Sequence, residues 1–210
     1  MTNSDTPWVA SRTIGQVLAH TASRVPQREA IVFPQQGTRM TYAQFHAAVN
    51  AAAKGLLAMG IRPGEHVGIW ATNIPQWVLL QYAAASVGIV LVTINPAYRP
   101  FELSYTLNQS DLVALFLTDS FKSSDYYKIF AEVCPGIATA KGGALSCEAF
   151  PKLRRVVALK PGAPAGYLAW DDMVAAGAAI ADSELARIAA TLKVSDVVNI
   201  QYTSGTTGFP

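Results

Sequence analysis

The chain has 210 residues, 51% of them apolar and only 14% charged, with a formal net charge of +2. That length suits one large domain or two small ones, and the apolar share is ample for a core, while the charge falls well below the roughly 25% of an ordinary soluble domain. The basic residues are scattered, with Arg154–Arg155 the one basic doublet, so the cationic stripe that tracks phosphates is missing and nucleic acid is excluded as a partner.

In chain order, Thr13 followed by Gln16 has the spacing of a capping box, and Ile14, Val17, Leu18 and Val25 form an apolar stripe behind it. A short first helix is predicted. Residues 30–33 read as a small strand closed by a Gln-Gln-Gly turn. Thr41 with Gln44 repeats the capping box, and Phe45, Ala48, Val49, Ala52, Leu56 and Met59 lie at near-helical period on one face. Gly60 stands where a left-handed C-cap belongs, and Pro63–Gly64 completes the stop.

From there the pattern alternates. It predicts a strand over 67–71, a helix over 74–87 capped by Asn73, a strand over 89–94, a turn at Asn95–Pro96 and a helix over 100–109. A strand over 112–117, a helix over 124–133 and a strand over 155–159 follow. Residues 138–150 lack a period and read as a loop or insertion, and 160–166, with two Pro and two Gly, as a surface connection. Short helices over 171–176 and 183–192 precede a strand over 196–202. This rhythm predicts an α/β fold, a mostly parallel sheet with helices on both faces and right-handed crossovers. The expected organisation is a helical and strand segment over 1–64 and an α/β subdomain over 65–210.

From His66 to Tyr98 no residue carries a formal charge, which raises the question of a membrane span. Asn73, Pro75, Gln76, Gln81, Ser86, Gly88, Asn95 and Pro96 interrupt the run like caps and turns, so a soluble core and no transmembrane segment are expected. Residues 1–11 lack the basic and apolar regions of an export signal. With Cys134 and Cys147 outside any metal-ligand spacing, two free thiols in the cytoplasm are predicted, the protein being free or held at a membrane surface. His20, His46 and His66 are far apart and read as surface or boundary residues rather than metal ligands. Asp171–Asp172 suits a helix start better than paired-carboxylate catalysis. Trp8, Trp70, Trp77 and Trp170 read as packing residues, and Tyr126, Tyr127 and Phe130 as one helix face.

The chain closes with Tyr202-Thr203-Ser204-Gly205-Thr206-Thr207-Gly208-Phe209-Pro210. Two glycines let successive N–H groups converge on an anion, and Ser204, Thr206 and Thr207 add hydroxyl donors. A strand leading into this loop would place it at the carboxyl edge of a parallel sheet, where α/β folds bind ligands. The segment resembles the ATP-phosphate loop of the adenylate-forming superfamily, which runs Y-T-S-G-T-T-G-x-P-K; the lysine falls one position past Pro210. Met40-Thr41-Tyr42-Ala43-Gln44-Phe45 is similar to an early helix start of that family, and Val87-Gly88-Ile89-Val90 with Asn95-Pro96-Ala97-Tyr98 to its second characteristic stretch. The N-P-x-Y form, with Glu102-Leu103 and Leu107-Asn108-Gln109-Ser110, resembles the fatty acyl-CoA synthetase branch, above all medium-chain enzymes, more than peptide-synthetase domains.

The resemblance implies the N-terminal part of the adenylate-forming fold and a two-step reaction with ATP, Mg2+ and CoA on a fatty acid or other carboxylate. It assigns Thr203, Ser204, Gly205, Thr206, Thr207 and Gly208 to the ATP phosphates, with no catalytic residue and no metal ligand identifiable inside the chain. The rest of the apparatus would lie past residue 210, in a C-terminal part of the same enzyme. The chain alone is therefore expected to be inactive. The alternatives are a non-catalytic remnant or nucleotide-binding module, and an adenylation domain of peptide-synthetase type.

Overall fold

The computed structural model describes Val9 and residues 11–202. Helix α1 (Ile14–Arg24) opens on the expected capping box: Gln16 N–H donates to Thr13 Oγ1 at 3.3 Å and Thr13 N–H to Gln16 Oε1 at 2.9 Å. Strand β1 (Glu29–Phe33) turns back into an antiparallel strand β2 (Thr38–Thr41). Helix α2 (Tyr42–Ala58) starts from the Thr41–Gln44 box and buries Phe45, Val49, Ala52 and Leu56. It ends as anticipated, with Gly60 at φ +78°. Gly60 N–H bonds to Leu57 O and Ile61 N–H to Leu56 O, satisfying carbonyls that the helix end would otherwise orphan.

The alternating part follows as β3 (His66–Trp70), α3 (Pro75–Ser86), β4 (Val90–Thr93), α4 (Pro100–Gln109) and β5 (Leu112–Leu117). A two-stranded hairpin of β6 (Ser120–Phe121) and β7 (Ser124–Asp125) leads into α5 (Tyr126–Val133). Then come β8 (Arg155–Ala158), β9 (Leu168–Ala169), α6 (Trp170–Ala176), α7 (Asp182–Ala189) and β10 (Asn199–Gln201). Six strands form one sheet in the order β10-β4-β3-β5-β8-β9, every pair parallel.

Strand alternation splits the interior into two cores. Val67, Ile69, Leu91, Ala114, Phe116 and Val157 face one core, shared with α1, α2, α3 and α6. Trp70, Val92, Leu115, Leu117, Val156 and Ala158 face the other, shared with α4 and α5. Burial on both faces explains why these strands read as near-continuous apolar runs. The chain moves outward from β3 to β4 through α3, then reverses to β5 through α4 on the opposite face. A reversal of direction with crossovers of one hand must switch the helix to the other face.

Several local expectations need correction. Asn73 does not cap α3: Pro75 occupies the first turn and the cap position is Ile74, extended at φ −128° and ψ 158°, without a side-chain cap bond. Pro disfavours the helical conformation in the residue before it and lacks the N–H that a cap would satisfy. The helix expected from Ser124 begins at Tyr126, with Asp125 accepting from Lys128 N–H, because Ser124–Asp125 is held in the β6–β7 hairpin. The segment 138–150 is the expected loop, entered through the 3-10 turn of Pro135–Thr139, and within it Ala144 bridges to both Lys141 and Arg155. The strand expected over 196–202 is confined to Asn199–Gln201. Asp171 and Asp172 lie in the first turn of α6 behind an Ala169 cap, placed to interact with the helix dipole. Among the described residues, no helix is long and apolar enough to cross a membrane.

Candidate functional site

The carboxyl ends of β3, β4, β5 and β10 lie along one edge of the sheet, since all four run parallel. The strand order changes direction between β3, which leads towards β4, and β5, which leads towards β8. Loops that leave in opposite directions open a crevice, the place where doubly wound sheets bind ligands.

Two aromatic rings organise this edge. Trp70, the last residue of β3, stacks on Tyr126 with ring centroids 3.6 Å apart and planes 7° from parallel. Trp70 Nε1–H donates to Asn95 O at 3.1 Å, and the Tyr126 hydroxyl donates to Pro96 O at 2.7 Å. Asn95 Oδ1 accepts from Ala97 N–H at 2.9 Å, closing a turn on itself. The Asn95-Pro96-Ala97-Tyr98 segment is thus held through two adjacent carbonyls at the tip of β4. Burial raises the Tyr98 phenol above its ordinary value, and the Glu102 carboxylate adds to this.

Beyond β5, Asp119 accepts from Ser120 N–H at 2.8 Å and Thr118 Oγ1 at 3.0 Å and pairs with Lys160 Nζ at 2.7 Å. Burial pushes its carboxyl up, but the bonds from Lys160, Thr118 and Ser120 outweigh it and hold the group below its ordinary 3.8. A carboxyl lowered on folding stabilises the fold above its unfolded value, and that contribution fades as pH falls through the folded value. Asp119→Asn is therefore expected to flatten the loss of thermal stability as pH falls below about 4. Melting curves that decline in parallel for variant and parent would contradict this.

Strand β10 completes the edge. Asn199, Ile200 and Gln201 lie beside Leu91, Val92 and Thr93 of β4. Asn199 Nδ2 donates to Leu91 O at 3.1 Å and Thr93 Oγ1 to Ile200 O at 3.4 Å. Tyr202 is half-buried against the core beneath α4, and this burial raises its phenol. The residues singled out for phosphate binding, Thr203, Ser204, Gly205, Thr206, Thr207 and Gly208, lie outside the described residues.

The remaining candidates do not gather here. His66 Nδ1 lies 2.7 Å from Ser110 O, at the amino end of β3. His46 Nε2 lies 3.4 Å from Asn50 Nδ2 and lines a cleft of about 390 Å³ with Gln16, Asn50, Ser86, Asp182 and Ala186. That cleft lies where α1, α2 and α7 meet the end of α3, away from the strand tips. Trp170 packs edge-on to Phe116 in the first core. Tyr126, Tyr127 and Phe130 pack into one core as expected of one helix face, Tyr126 meeting Trp70 and the other two Tyr167. The Trp70–Tyr126 stack and the Asp119–Lys160 pair were not foreseen. The Tyr126 position could be suspected from helical period, but its partner is 56 residues away in sequence, as the two numbers give.

A parallel sheet with this order, whose last described strand leads into a glycine- and hydroxyl-rich sequence, defines a doubly wound α/β protein. The chain belongs to the AMP-binding enzyme family, whose model matches residues 18–210. It is 42% identical to YngI of Bacillus subtilis over 198 residues, covering 94% of this chain and 36% of that protein. It is 41% identical to the mitochondrial medium-chain acyl-CoA ligase ACSF2 of Homo sapiens, covering 95% of this chain and 32% of that one. The chain thus spans about a third of the length of these relatives. Among solved structures, the inhibitor-bound N-terminal domain of FACL13 from Mycobacterium tuberculosis matches with a TM-score of 0.68 and 27% identity, over 94% of this chain and 42% of that one. The anthranilate CoA ligase AuaEII in complex with anthranoyl-AMP matches in fold, with a TM-score of 0.76 and 23% identity over 100% of this chain and 35% of that one.

Proposed function

We propose that this chain is the N-terminal part of the large domain of an ATP-dependent fatty acyl-CoA synthetase. A carboxylate oxygen of the substrate attacks the α-phosphorus of Mg-ATP, the bond to the β-phosphate breaks, and pyrophosphate leaves with the acyl-adenylate behind. The thiolate of CoA then attacks the acyl carbon and AMP departs. Thr203, Ser204, Gly205, Thr206, Thr207 and Gly208 hold the β- and γ-phosphates while charge grows on them, as preorganised donors do. Mg2+ enters with ATP as part of the substrate.

The observation that supports this reading is the parallel pairing of β10 with β4, which brings the last described residue, Tyr202, to the carboxyl end of the sheet. The medium-chain ligase name of the ACSF2 relatives supports a fatty acid as substrate, and so does the N-P-x-Y segment fixed by Trp70 and Tyr126. The chain by itself releases no pyrophosphate, because two thirds of the relatives' length has no counterpart in it.

Two preparations test this: the chain alone, and the chain joined to the remaining two thirds of human ACSF2. With Mg-ATP and octanoate, the first should release pyrophosphate no faster than a blank. The joined protein should release it only when octanoate is present, and Thr206→Val should slow it about 10²-fold. Turnover by the chain alone would overturn the inactive-fragment reading. A folded joined protein that binds ATP yet activates no carboxylate would overturn the synthetase reading in favour of a nucleotide-binding module.

A further inference from the structure

Both cysteines belong to the link between α5 and β8, well outside the strand tips. Cys134 is the residue that ends α5 and is fully buried; Cys147 is half-buried. The link folds back on itself after the 3-10 turn of Pro135–Thr139. Gly136 lies directly under it: a Cβ there would be 2.4 Å from Ser146 O and 4.0 Å from Cys147 Cα. Cys147 packs against the core that holds Cys134, and the two thiols interact. Two interacting thiols, one at the end of a helix and one on the segment that folds back over it, form a pair that a disulfide could join.

We infer that Cys134 and Cys147 form a reversible oxidation site, in which hydrogen peroxide converts the reduced pair into a disulfide. Cys147, the more accessible sulfur, reacts first: its sulfur attacks one peroxide oxygen, the O–O bond breaks, and a sulfenic acid and water result. Cys134 sulfur then attacks the sulfenic sulfur, the S–O bond breaks, and the hydroxide takes the Cys134 proton to leave as a second water. Two thiols are oxidised by two electrons and one peroxide is reduced. A small dithiol reverses the step by exchange.

The order follows from burial. Burial, and then the interaction with Cys147, push the Cys134 thiol up to about 12, against weaker help from the Gly136 and Ile137 N–H groups. A sulfur held as thiol is a poor first nucleophile, so Cys134 serves as the resolving partner and its step quickens as pH rises. The bond would tie the end of α5 to the segment that carries Gly143 and Ala144 onto β8, whose contacts are Val156 N–H to Gly143 O at 2.9 Å and the Ala144–Arg155 bridge.

The test treats the folded chain with hydrogen peroxide and digests it without reductant. The expected product is one intramolecular peptide pair joining Cys134 to Cys147, lighter by two hydrogens and split by dithiothreitol. It should form faster in the folded chain than in concentrated urea, and faster at higher pH. In Cys134→Ser, dimedone should trap a sulfenic acid on Cys147; wild-type mapping stands on its own should that variant not fold. Two titratable thiols after prolonged peroxide, crosslinks only between chains, or a rate no faster folded than unfolded would each overturn the proposal.

Discussion

Trp70→Ala should lower the free energy of unfolding by about 3 to 5 kcal/mol, a large fraction of the 5–15 kcal/mol that holds a typical domain together. The indole is fully buried where β3 ends, and its removal leaves a cavity against Tyr126. It also deprives Asn95 O of the donor 3.1 Å away. Tyr126→Phe keeps the stacked ring and removes only the hydroxyl that donates to Pro96 O at 2.7 Å, so about 1 kcal/mol is expected. Burial raises the Tyr126 phenol, which keeps it a donor at neutral pH. Urea denaturation of both variants separates ring packing from the hydrogen bond. A Trp70→Ala protein that unfolds at the parent's urea midpoint would mean the stack does not organise the edge.

Gly143→Ala is expected to cost about 3 kcal/mol or more, left-handed strain of roughly 1–2 kcal/mol adding to the overpacking of a closed site. Its φ is +75°, and a Cβ would sit 2.5 Å from Val156 O, 2.6 Å from Leu168 Cβ and 3.0 Å from Leu168 N. Those atoms belong to β8 and β9, which pair with each other and cannot withdraw without loosening the sheet. Gly60 is the control: its φ is +78° but nothing lies within 4 Å of an added Cβ. Gly60→Ala should therefore carry the strain alone, about 1 kcal/mol. Equal losses in the two variants, read from chemical denaturation, would remove the case for close approach at Gly143.

Glycine positions illustrate how the two levels of information divide. Gly60 was readable because a helix, its apolar face and its stop signal are contiguous in sequence. Gly143 was not, because the atoms that require it come from Val156 and Leu168. The same division separates the capping boxes at Thr13 and Thr41 from the misplaced cap at Asn73. The boxes depend on residues three apart, and even the Asn73 error is local, since Pro75 is visible in the sequence.

The amino-acid sequence by itself determined the helices with periodic faces, the strands buried on both sides, the α/β class and the family likeness of the final loop. These rest on local propensity and burial, which a short window of residues records. Tertiary structure alone decided the strand order, the reversal between β3 and β5, and the two- to four-residue strands β2, β6, β7 and β9. Such short pieces become strands only when a partner supplies hydrogen bonds. The contacts of Trp70 with Tyr126 and of Cys134 with Cys147 likewise arise where the folded chain brings distant segments together, information that no local pattern carries.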